Sequence, residues 1–161
     1  MKRLRYIALA LGAAALVGLS IFGVLALRAI DVEHVPLSQA LSRFEEIRKR
    51  FRDQTPLIEI DEAGRVARRS TEGSAKAAGA AIALKRLEVV AYYAADERLV
   101  TAHVPFWFLT TKGPAAEFAL RDTGFDLEQL HLTPADLSRR GPGLVLDQTR
   151  ATGDRLIVWT E

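Results

Sequence analysis

The sequence predicts an α+β domain with a mostly antiparallel sheet and short helices, carried behind one N-terminal transmembrane helix. Three observations predict it. An uncharged apolar run occupies positions 7–27. Beyond it, apolar residues recur first at helical spacing and later at the alternate spacing of strands. Turn residues then punctuate the chain in the order helix, strands, helices, strands, which is the order of an α+β fold.

Ile7 to Leu27 is 21 residues long, and Ser20 is its one polar side chain. As a helix it is roughly 31 Å long, the hydrocarbon thickness of a bilayer, and every backbone polar group is satisfied within it. Lys2, Arg3 and Arg5 precede it, whereas Arg28 is followed by Asp31 and Glu33 before any further Lys or Arg. That asymmetry puts the N-terminus in the cytoplasm and the remainder across the membrane. Residues 1–30 are thus a cytoplasmic stub and anchor, meeting the lipid bilayer through residues 6–27, and residues 31–161 are one soluble domain. The alternative is a cleaved signal peptide and a secreted domain, cut near Ser20 or Ala26. The apolar run exceeds the usual signal-peptide core, which favours the retained anchor.

All 20 acidic residues lie beyond position 30, together with 18 of the 22 basic ones, so the domain carries −2 although the chain is +2. A nucleic-acid reader carries its positive charge on the folded domain, so no nucleic-acid partner is expected. The chain has no cysteine. Disulfides, cysteine-ligated zinc and thiol nucleophiles are excluded together.

Leu37, Ala40, Leu41, Phe44, Ile47 and Phe51 mark an amphipathic helix that Pro36 opens and Pro56 stops. Its polar face carries Arg43, Arg48, Lys49, Arg50 and Arg52 against Glu45 and Glu46. A solvated, ion-paired face is the simpler reading, and contact with anionic headgroups is the functional one. Leu57–Ile60 reads as a short strand, residues 61–64 as a turn and residues 65–70 as a weak partner strand. The small, polar stretch 70–80 reads as a loop. Leu87 to Tyr93 alternates as a strand, residues 94–97 turn, and Leu99 to Leu109 returns as a second strand. Pro105 lacks an N–H, which marks that second strand as an edge or as broken there. Gly113-Pro114 opens a short helix that Gly124 closes. Thr133 caps another, Pro134 occupies its first turn, and Gly141-Pro142-Gly143 ends it. Leu144–Gln148 and Leu156–Thr160 form a terminal hairpin with Gly153 in its turn. The core expected from this pattern is Leu41, Phe44, Ile47, Phe51, Val89, Leu127, Leu137, Leu146 and Ile157.

Signatures of catalysis are missing: the sequence holds no phosphate loop, dinucleotide fingerprint, HExxH or GxSxG. His34, His103 and His131 stand alone in sequence, without a ligand partner at metal-site spacing. Neither a metal site nor a cofactor is expected. The binding residues singled out are Phe106, Trp107 and Phe108. On one strand they would place two phenylalanines on one face and the tryptophan on the other, leaving aromatic surface exposed if only one face is covered. Arg139-Arg140-Gly141-Pro142-Gly143 could hold an anion through backbone N–H groups, but a helix C-terminus repels anions, and a helix stop is the better reading.

The stretches VPFWFL (104–109), TPADLSRRGPGLVLD (133–147) and the ending LIVWTE resemble an uncharacterised family of small bacterial single-pass membrane-anchored proteins. The resemblance implies a bacterial source and an anchored domain, and brings no activity. With it, the localisation expected is the bacterial inner membrane with the domain outside the cytoplasm. The function expected is non-catalytic: a tethered domain that binds a protein partner or serves as an accessory subunit of an envelope complex. The alternative is a small envelope enzyme with a site assembled from distant residues, His103 with Asp or Glu neighbours. A concave pocket holding such a histidine would favour the enzyme, and an exposed Trp107 or Phe106/Phe108 patch would favour the binder.

Overall fold

The computed structural model describes residues 30–60, 66–69, 83–110 and 120–161. The expected anchor, the turn at 61–64, the loop at 70–80 and most of the helix after Gly113 lie outside these residues. Among those described, no helix is long and apolar enough to cross a membrane.

The fold is α+β around one seven-stranded, mostly antiparallel sheet. In chain order the elements are β1 (Ile30–His34), α1 (Leu37–Arg50), β2 (Ile58–Ile60), β3 (Val66–Arg69), β4 (Arg86–Tyr93) and β5 (Arg98–Pro105). They continue with α2 (Phe106–Thr110), a 3-10 turn (Arg121–Thr123), α3 (Pro134–Arg140), β6 (Gly143–Thr149) and β7 (Arg155–Thr160). Across the sheet the strands run β1-β5-β4-β7-β6-β2-β3, and β2 against β6 is the parallel pairing. At one end of the sheet β5 and β7 finish while β4 and β6 begin; we call it the Pro105 end, and the other the Tyr93 end.

Both faces are covered, because alternate residues of the central strands are apolar on both sides. Val90, Tyr92, Leu99, Leu144, Ile157 and Trp159 pack with Ala40, Phe44 and Ile47 of α1. On the opposite face Leu87, Val89, Val100, Val104 and Val158 pack beneath α2, α3 and the intervening turns. Of the expected core, Phe44, Ile47, Val89, Leu137, Leu146 and Ile157 are buried, whereas Leu41, Phe51 and Leu127 lie half-buried at its margins. The helix α1 runs from the Tyr93 end, where Val35 N–H donates to Glu97 O at 2.9 Å, to the Pro105 end. There the Phe51 ring meets that of Trp159, with centroids 6.2 Å apart. Arg48 anchors the last turn of α1 through a two-pronged contact with Asp147, 2.6 Å from Nε and 2.7 Å from the terminal nitrogen. That hydrogen bond raises the pKa of Arg48, outweighing burial, which lowers it.

The structure corrects one expectation. The strand after Arg98 does not reach Leu109: it stops at Pro105, and Phe106–Thr110 is helical. Proline's missing donor ends the ladder there, and Phe106 N–H then donates to Lys85 O at 2.8 Å, turning the chain over the sheet. The outer edge of β5 is covered by β1, and β7 of the terminal hairpin pairs with β4. Residues 30–34 are therefore part of the sheet. Ile30 pairs with Ala102 and His34 with Arg98, so β1 closes the sheet.

Other signals are realised as read. Thr133 caps α3 in a reciprocal box with Asp136. Arg140 donates to Thr55 O at 2.6 Å and Arg139 lies 3.2 Å from Asp136, which fits a helix stop rather than an anion nest.

Candidate functional site

The three aromatic residues singled out by sequence separate in the structure. In the short α2 helix, Phe106, Phe108 and Leu109 turn inward and are each 7 % exposed, while Trp107 turns outward and is 55 % exposed. The Trp107 indole packs against the Phe108 ring, with centroids 4.2 Å apart. Burying three side chains of a five-residue turn fixes the fourth in place. Phe106 and Phe108 are thus supports, and Trp107 is the surface they present.

A second constellation gathers on the α1 face at the same end of the sheet. Glu88 of β4 is buried, and its carboxylate holds Nδ1 of His103 from the neighbouring strand. Against an ionised carboxylate Nδ1 is the donor, which leaves the rest of this 49 %-exposed imidazole toward solvent. Arg86 lies 3.2 Å from the other Glu88 oxygen and also donates to Glu161 at 3.0 Å. Glu161 accepts in addition from the Trp159 indole N–H at 3.2 Å, and that bond, ahead of the contribution from Arg86, pulls its pKa below the usual carboxylate range. The sequence reading paired His103 with an unspecified carboxylate and left out Arg86 and Glu88. The hairpin register was the missing signal: a four-residue turn at 94–97 puts Tyr93 opposite Arg98, and counting back puts Glu88 opposite His103.

A histidine oriented by a carboxylate has the form of a general base. Chemistry also needs walls that position a substrate, and this pair sits on an open stretch of sheet rather than in a described cleft. The cavity lined by Tyr93, Arg150 and Asp154 lies at the other end of the sheet, and its volume of about 10 Å³ suits a single water. Among the described residues no group of three or more His, Asp or Glu is arranged to hold a metal ion. The surroundings of Glu88 account for its burial without catalysis, since two cationic or donor side chains compensate one desolvated carboxylate.

Comparison of the chain with protein-family models, with curated proteins and with solved structures finds no match.

Proposed function

We infer that this chain is a non-catalytic, membrane-tethered domain held outside the cytoplasm, an accessory protein-binding component of a bacterial cell-envelope complex. The observation that carries the reading is the position of Trp107. A large indole is held in solvent by buried neighbours, at the end of the sheet where the chain arrives from the apolar run. Contact chemistry is thereby displayed while the buried ionisable groups at that end are already matched. The uncharged run at 7–27 and its basic N-terminal flank support the tether and its direction.

Two measurements test it. Full-length chain should resist carbonate extraction from membranes, and an alkaline phosphatase fused after Glu161 should be active. Activity only from a cytoplasmic reporter would reverse the topology. In mild detergent the chain should migrate in native gels as part of a larger assembly, and migration as a lone monomer would remove the accessory role.

The His103–Glu88 pair favours a second reading, an envelope enzyme using His103 as base. Screening full-length protein with activated ester and phosphoester substrates decides it. Turnover abolished by His103→Ala in a folded protein would establish this reading, and turnover unchanged by it would discard it.

A further inference from the structure

We propose that the Pro105 end of the domain docks on the headgroup layer of an anionic bilayer, with the Trp107 indole lodged among the headgroups. The inference rests on the tether reading and assigns Trp107 to lipid in place of the protein partner.

The argument begins with reach. Leu27 ends the apolar run and Ile30 begins β1, so three residue steps join them, at most about 11 Å of chain. Ile30 is paired with Ala102, and from there β5 continues three residues to Pro105, about 10 Å in the same direction. A bilayer boundary at Leu27 therefore cannot stand far beyond the level of Pro105 and α2. With no linker to hold it away, this end of the sheet faces the membrane at headgroup distance.

What stands at that end suits such a surface. Trp107 joins an apolar ring system to an indole N–H, the combination favoured at membrane interfaces. Lys49, Arg50 and Arg52 lie where α1 reaches this end, and Lys85 precedes β4 beside it; all four are exposed. Facing them, Glu46 lies 3.7 Å from Arg50, Asp53 is exposed, and Glu161 is engaged by Arg86 and Trp159. Arg86 adds one basic residue here and Glu88 one acidic, so this end carries five basic side chains against four acidic, in a domain whose sum is −2. Lys49, Arg52 and Lys85 are exposed there, and each basic residue held near an anionic leaflet favours contact about five-fold. Of the two readings of the α1 basic face, the course of α1 toward this end favours lipid.

The test uses full-length chain in nanodiscs of phosphatidylcholine, with and without phosphatidylglycerol, some carrying lipids brominated high on the acyl chains. Trp159 is buried, so the difference between wild type and Trp107→Phe isolates Trp107 emission, and unchanged Trp159 emission reports that the variant is folded. The expected result is quenching of Trp107 by bromolipid, protection from iodide, and stronger quenching with phosphatidylglycerol. Lys49→Gln and Arg52→Gln should each lower the docked-to-undocked ratio about five-fold. Trp107 that stays open to iodide in discs that float with the protein would overturn the docking and leave the tether standing. Protection from iodide without bromolipid quenching would overturn it in favour of a second copy of the chain. Protein that does not float with the discs would overturn the tether and the docking with it.

Discussion

Phe44 shows how much of this fold depends on single side chains. It is fully buried between α1 and the sheet, within the cluster of Val90, Tyr92, Leu99 and Ile157. Phe44→Ala should cost about 3–5 kcal/mol in urea unfolding, through lost transfer energy and an unfilled cavity. A loss under about 1 kcal/mol would place α1 outside the core. Glu161 acts through charge instead. Its carboxyl is held below the ordinary value of 4.5, so its contribution is present above that pH and disappears as pH falls through the lower folded value. Trp159→Phe removes the largest cause of that shift. The variant should therefore lose less of its thermal stability between neutral and acid pH than wild type does, and an equal acid loss in both would show that this bond carries no linkage.

At the scale of elements, local signals were legible and pairings were not. Thr133, Pro134 and Gly141 specify α3 through its own backbone groups, so its limits could be read directly from sequence. The two hairpins likewise follow from alternation and turn residues. β1 carries only two apolar residues in five, Ile30 and Val32, and is a strand because β5 supplies hydrogen bonds from some 70 residues away. The helical turn at Phe106 was hidden for a similar reason: an aromatic run reads as a strand until Pro105 ends the ladder. The 3-10 turn illustrates a tertiary demand placed on one residue. Gly124 closes it at φ +68°, and a Cβ there would come within 3.1 Å of Tyr93 Oη, which donates to Asp122 O at 3.0 Å. Gly124→Ala should destabilise the domain by about 1–3 kcal/mol, with the backbone strain as the main part. The same burial raises the Tyr93 pKa, so wild-type Tyr93 should ionise above 10 in ultraviolet titration, and loosening the turn should bring it back toward that value.

At the scale of the molecule, the strand that closes the sheet is also the segment joining it to the apolar run. β5 pairs with β4 along its whole length, and β1 covers its outer edge from Arg98 to Ala102. Without β1 that edge would present unpaired N–H and C=O groups along Leu99, Val100 and Ala102, a template for pairing with another chain. In place, β1 shows solvent Asp31 and Glu33, and charged residues on an outer strand discourage such pairing. Its apolar contribution is small, since four of its five residues are exposed. Its effect should therefore be on association more than on stability. Two truncations separate these effects: a chain beginning at residue 28 keeps β1, and one beginning at Val35 removes it. The first should stay monomeric by size-exclusion chromatography at concentrations where the second self-associates. Reversing the exposed edge of β5 with Thr101→Lys in the shorter chain should restore the monomer, because Thr101 faces Asp31 in the intact register. A shorter chain that stays monomeric without that change would mean that β5 needs no cover and that β1 is only a spacer.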